Sequence, residues 1–307
     1  MPIAPLRETI LECLSDARSH SLEVQQKALH TLASMTKVSP QNRSLLAQTD
    51  GAISYFIMLT NSSSPIIETL ALAILFNLSL NPDLKQSLAD MNTIFRLNSI
   101  ILSPKSPHSN RLACSLICSL AMLDKNKAKF GVAGTIQVLV SGISGPRTPA
   151  SHHLLSSLAE LVQFHGNCTV AVRSGAVEVL IGIVESSDGE DLSGTSLAVL
   201  GLLARFEEGL NAIIRREQVV SCMVEVLKRR CMLSKEGAAE ILVRIFDESE
   251  GCVKDALRLP EFSTVLADLS VRGSLKAREK AAQLMKKMTG ASLDTSIDGN
   301  SMFLQWY

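Results

Sequence analysis

The chain has 307 residues, 46 % of them hydrophobic and only 4 % aromatic, with 30 Lys+Arg balanced by 30 Asp+Glu. So high an apolar fraction excludes a mainly disordered chain, and zero formal net charge argues against a protein whose main task is holding nucleic acid. A core of Leu, Ile, Val, Ala and Met, with modest Gly and Pro, points to an all-α protein.

In chain order, residues 1–20 read as an N-terminal capping helix, because Leu6, Ile10, Cys13 and Leu14 share one face. Residues 21–290 carry one recurring helical pattern, a small or apolar residue followed by apolar residues four and seven positions on. It appears as Ala28/Leu32/Met35, Ala71/Leu75/Leu78, Ala113/Ile117/Leu120 and Leu154/Leu158/Leu161. It continues as Ser196/Leu200/Leu203, Ala238/Leu242/Ile245 and Ala281/Met285/Met288, with starts 41 to 43 residues apart throughout. Spacing of i, i+4, i+7 is the buried stripe of a helix.

A second landmark keeps the same phase: Gly51-Ala52-Ile53, Asn92-Thr93-Ile94, Gly134-Thr135-Ile136, Gly175-Ala176-Val177 and Gln218-Val219-Val220. Glycine there suits a tight helix-to-helix turn. Short apolar helices follow, then turn residues such as Ser64-Pro65, Ser106-Pro107 and Asp188-Gly189. Each unit of about 42 residues therefore reads as a short helix, a second helix and a longer third helix. It cannot bury its apolar face alone, so stacking on neighbours is required. The two domains that length suggests give way to one α-solenoid of about seven repeats.

No catalytic constellation is legible: there is no Walker loop, GxGxxG, GxSxG or HExxH. His152-His153 is the only adjacent histidine pair and reads as two polar residues at a helix start. The run Glu185 to Asp191 lacks the alternating ligands of a Ca²⁺ loop, and Lys228-Arg229-Arg230 reads as a basic helix end. The seven cysteines form no CxxC and read as reduced core residues. The N-terminus is unlike a signal peptide, and the longest apolar run, Leu70 to Phe76, is too short to span a bilayer. The expectations are therefore no enzyme, no cofactor, no metal, no nucleic acid, no membrane insertion and no small-molecule substrate, in the cytoplasm, the nucleus or both.

The three-helix unit resembles the armadillo repeat. Asn42-Arg-Ser-Leu-Leu with Gly51-Ala-Ile, and Glu68-Thr-Leu-Ala-Leu-Ala-Ile-Leu-Phe-Asn-Leu-Ser79, carry the resemblance, as does Gly175-Ala-Val-Glu-Val-Leu. The texture is similar to the armadillo regions of plant U-box ubiquitin ligases. The repeats start within the first thirty residues, which leaves no room for a U-box ahead of them, so recruitment of a ubiquitin-conjugating enzyme is not carried over.

The resemblance implies a right-handed superhelix whose third helices line a concave groove that grips a protein segment. In nuclear-import receptors of this fold the groove carries Trp and Asn in each repeat. The corresponding positions here are His30, Ala73, Ser115, Ser156, Ala198, Glu240 and Gln283, and Ser34, Asn77, Ser119, Glu160, Leu202, Arg244 and Lys287. The Trp array is absent, which argues against a nuclear-localisation-signal receptor. The expected partner-binding groove comprises His30, Ser34, Ala73, Asn77, Ser115, Ser119, Ser156, Glu160, Glu240, Arg244, Gln283 and Lys287. Small side chains there either admit a partner's backbone or merely ease helix packing. Asn77 either bonds a ligand at the groove or, if buried, needs partners for its amide.

The implied work is that of a non-catalytic scaffold or adaptor in plant ubiquitin-linked or stress signalling. The alternatives are the substrate-binding part of a ubiquitin ligase with a separate catalytic module, or a cargo receptor. Residues 291–307 read as a C-terminal tail whose closing Met302-to-Tyr307 segment caps the last repeat, docks another protein or stays unstructured.

Overall fold

The computed structural model describes the backbone of residues 3–186 and 190–301, and side chains within 6–186 and 192–290. The Asp188-Gly189 turn, the middle of the acidic 185–191 run and the Met302-to-Tyr307 segment lie outside the described residues. Among those described, every regular element is helical. They group into two compact units, residues 1–170 and 171–307.

The first unit opens with α1 (Ile3–Ala17), whose Ile10, Leu14 and Ala17 are buried. It packs on α2 (Leu22–Val38). Three triplets follow: α3 (Pro40–Ala47), α4 (Ala52–Leu59) and α5 (Pro65–Ser79); α6 (Lys85–Leu88), α7 (Met91–Leu102) and α8 (Pro107–Ala121); α9 (Asp124–Val132), α10 (Thr135–Ser144) and α11 (Ser151–Leu161). The long helices pack in sequence, α2 on α5, α5 on α8 and α8 on α11. This is a solenoid's order of contacts, each repeat touching its neighbours.

α12 (His165–Arg173) carries the boundary between the units. The second unit holds α13 (Ala176–Glu185), α14 (Glu190–Leu203), α15 (Glu207–Ile214), α16 (Val219–Lys228), α17 (Met232–Glu248), α18 (Glu250–Leu257), α19 (Phe262–Arg272) and α20 (Leu275–Ser301). Again the long helices pack in order, α14 on α17 and α17 on α20. The backbone of residues 291–301 continues α20.

The repeated stripe lies inside. Ala71, Leu75 and Leu78, and Ala113, Ile117 and Leu120, are all buried, while Met35 and Met285, in the outermost stripes, are half-buried. Serine followed by proline starts three of the helices. Ser39, Ser64 and Ser106 sit at N-cap positions with Pro next, and each side chain accepts a backbone N–H of the first turn. The turn landmark is left-handed where the sequence pattern places it in four repeats, at Gly51, Gly134, Gly175 and Gln218. The second repeat differs. Asn92 lies inside α7, and Asp90 caps that helix in extended backbone by accepting the Thr93 N–H at 3.0 Å.

One device was not read from the pattern. Asn126 donates Nδ2 to the carbonyls of Leu120 (3.0 Å) and Lys85 (2.9 Å), and Asn167 to those of Leu161 (3.0 Å) and Lys127 (2.9 Å). Asn42 bonds the Met35 carbonyl in the same way, at 2.9 Å. Each bonds a carbonyl in the last turn of a third helix, where the helical ladder runs out.

Candidate functional site

In the first unit α5 and α8 run parallel: Glu68 meets Lys105 (2.9 Å) beside their starts, and the Ser79 and Ser119 hydroxyls meet (2.8 Å) near their ends. Side-by-side α2, α5 and α8 leave a groove of about 700 Å³. Ala33, Ser34 and Ala73 line it with the apolar Ile66, Phe76 and Leu112. His30, Lys37 and His108 bring positive or titratable groups to it. Four expected groove residues, His30, Ser34, Ala73 and Asn77, converge here. Ile66, Phe76, Lys37, His108 and Leu112 were not singled out from sequence. They are not at the matched positions, so only helix packing brings them in.

Asn77 is buried, and its amide nitrogen is engaged: Nδ2 donates to the Ala33 carbonyl and to Thr36 Oγ1, each at 3.0 Å. It ties α5 to α2 while lining the groove. Ser119 is also buried, between the Ser79 hydroxyl and Lys85, whose Nζ donates to the Ser119 carbonyl at 2.6 Å. Burial lowers the pKa of this Lys85 ammonium. Asn77 and Ser119 are therefore helix-to-helix fasteners.

The other expected residues of this unit are more open. The Ser115 hydroxyl donates to the Arg111 carbonyl (2.9 Å) and lies 3.1 Å from His153 Nδ1 on α11. His153 thus turns to α8 while its neighbour His152 is exposed. Burial and Arg111 lower the pKa of both His108 and His153. Ser156 is exposed and bonds its own helix. Glu160 receives Lys127 at 3.1 Å, which also meets Asp124 at 2.8 Å. Burial alone would lower Lys127, but these carboxylates reverse that and raise it.

In the second unit a smaller groove of about 430 Å³ runs between α14 and α17. Ala198 and Leu202 line it with Glu240 and Arg244. The helices approach closely because glycine faces glycine's neighbours: a Cβ on Gly237 would lie 2.8 Å from Leu197 Cβ, and one on Gly194 3.2 Å from Leu233. Glu240 accepts from Arg244 (2.9 Å) and Lys280 (2.8 Å). Burial pushes its carboxyl up, but the two cations more than offset this and hold it below the usual carboxylate range. Lys287 pairs with Asp247, and Gln283 is exposed. The charged expected residues of this unit are thus each held in an internal ion pair.

Elsewhere, Lys228 of the basic cluster pairs with Glu225 (2.6 Å) and Glu261 (3.1 Å). Burial pushes the Cys114 thiol up to about 12 and Cys222 to about 11, which keeps them protonated. Among the described residues no group of three His, Cys, Asp or Glu could hold a metal ion. No single described helix is long and apolar enough to cross a membrane.

Comparison with known proteins agrees with this architecture. The family model for the plant U-box protein ARM repeat region matches residues 6–303. U-box domain-containing protein 1 of Medicago truncatula is 32 % identical over 118 residues, 38 % of this chain and 17 % of that protein. U-box domain-containing protein 17 of Arabidopsis thaliana is 26 % identical over 133 residues, 43 % of this chain and 18 % of that protein. The matched stretches thus span under a fifth of either relative. Two crystal structures of engineered proteins share the fold. One has TM-score 0.78 at 18 % identity over 92 % of this chain and 72 % of its own. The other has TM-score 0.68 at 18 % identity over 78 % of this chain and 97 % of its own.

Proposed function

We propose that this chain, which belongs to the plant U-box protein ARM repeat family, grips a segment of a protein partner along its third-helix faces and performs no catalysis itself. The repeat fold supports a protein-interaction scaffold in general. The finer reading rests on one observation: His30, Ser34, Ala73 and Asn77 converge on a single groove of about 700 Å³ that Ile66, Phe76 and Leu112 also line. A volume of this order accommodates several side chains.

The test is affinity purification from plant extract with wild type beside Ser34→Trp, read by mass spectrometry. Ser34 is exposed and makes no side-chain hydrogen bond, so its replacement fills the groove without removing an internal contact. Proteins lost from the variant are groove ligands. Identical sets from both baits would move the binding face elsewhere. Asn77 is the wrong probe, since its loss also unties α5 from α2.

A second reading, the substrate-binding part of a ubiquitin ligase, draws on the names of both relatives as U-box domain-containing proteins. It predicts that the ligands lost from Ser34→Trp become ubiquitinated when a U-box module is supplied, and not otherwise.

A further inference from the structure

We propose that the groove of the first unit takes an extended acidic segment carrying a bulky apolar side chain near its middle. The proposal rests on the groove reading above and names the chemistry of the occupant. The first argument is charge. The three helices that form the groove contain only two carboxylates, Glu23 and Glu68, against the cations Lys27, Lys37 and Arg111. Glu68 is buried and held by Lys105, and no carboxylate lines the groove. Lys37 does line it, and has no carboxylate partner among the described residues. In a chain whose formal net charge is zero, this groove is left with unmatched positive charge. The groove of the second unit serves as an internal contrast, since Glu240, Arg244 and Lys280 satisfy one another there.

The second argument is geometry. Lys37 lies in the last turn of α2, at the end where Asn77 joins α5 to α2. His108 lies in the first turn of α8, beside the start of α5. From Pro65 to Asn77 the helix rises about 18 Å, the length of about five or six extended residues. The Lys37 ammonium thus stands at one end and the neutral His108 ring, whose Nδ1 lies 2.6 Å from the Arg111 guanidinium, at the other, and Ala73, Ile66, Phe76 and Leu112 form an apolar stretch between them. An apolar side chain fills the middle while an acidic residue meets Lys37 and the His108 ring offers a hydrogen bond at the other end, and charge complementarity sets register and excludes basic segments.

The experiment pans a phage library of random twelve-residue peptides against the immobilised full chain, with Ser34→Trp as a parallel bait. Circular dichroism checks that both are folded. The expected result is that sequences lost on Ser34→Trp are net negative and carry a central Leu, Ile or Phe. A synthetic peptide of such a sequence, followed by fluorescence anisotropy, is then expected to bind Lys37→Glu about tenfold more weakly. Lys37 is exposed, so this reversal alters charge without touching the core. If the Ser34→Trp-sensitive sequences are neutral or basic, or Lys37→Glu binds equally well, the acidic class is overturned and the groove reading stands. If no sequence responds to Ser34→Trp, both fall.

Discussion

The long helices of the two units are joined by different chemistry. In the first unit, apart from the Glu68–Lys105 pair beside the start of α8, neutral hydrogen bonds cross between neighbours: Asn77 to α2, Ser119 to Ser79, and the Ser157 hydroxyl to the Cys114 carbonyl at 2.8 Å. In the second, ion pairs and close glycine contacts do this work, through Glu240, Arg244 and Lys280 and through Gly194 and Gly237. The difference matters for function. Buried neutral bonds fix helix spacing and leave surface cations unspent, so Lys37 remains available to a ligand. Ion pairs fix spacing by consuming the charges that would otherwise recognise one.

The largest effect is expected where the second unit relies on close approach. A Cβ on Gly209 would lie 2.2 Å from the Leu203 carbonyl oxygen and 2.7 Å from its carbon, both backbone atoms that cannot swing aside. Gly209→Ala is expected to cost about 3 kcal/mol in urea unfolding; a loss under about 1 kcal/mol would show that α15 moves freely against the end of α14. In the first unit the comparable position is filled by Asn126. Asn126→Ala removes the donor to two buried carbonyls and is expected to cost about 2 kcal/mol. Because the bonds are neutral, that loss is expected to be unchanged by high salt. A cost that shrinks in salt would mean that charge, through nearby Lys85, carries the contact.

The fold was legible because the apolar stripe repeats seven times in constant phase, and repetition outweighs local ambiguity. The second turn was misplaced because Asn92 sits in the glycine phase while Asp90 does the capping by another route. The asparagine ladder was visible at Asn42, Asn126 and Asn167, yet Lys85 and Gly209 interrupt it, so it did not read as a period. For the groove, family matching put the expected positions on the long helices. It did not reveal which face each turns outward: Asn77 and Ser119 are buried while Ser34 and Ser156 are exposed. That depends on helix rotation and neighbour packing, which one sequence does not display.

A smaller effect separates the two chemistries by pH. Glu240 is held below the usual carboxylate range, so the unfolded chain takes up the proton first. The stability it confers is present above the ordinary carboxylate pKa of about 4.3 and lost as pH falls through the lower folded value. Glu240→Gln is thus expected to cost less than about 1 kcal/mol near neutrality and nothing at low pH. If the cost persists in acid, the hydrogen bonds rather than the charges hold α17 to α20. Asn126→Ala is expected to show no such pH dependence.

A last effect of similar size concerns the turn that the repeats share. Gln218 has φ 59° and ψ 18°, where the other repeats place Gly51, Gly134 and Gly175. A side chain in this region meets its own backbone, which costs about 1 kcal/mol. Glycine removes that strain but gains freedom in the unfolded chain, which offsets part of the benefit. Gln218→Gly is therefore expected to stabilise by about 0.5 kcal/mol, and the reverse change, Gly175→Gln, to destabilise by about 1 kcal/mol. Both are read by thermal unfolding of the full chain. If Gly175→Gln costs stability but Gln218→Gly gains none, the Gln218 side chain holds something worth its strain. The neighbouring groove of Glu185, Ser221 and Arg229 is where that contact would be sought.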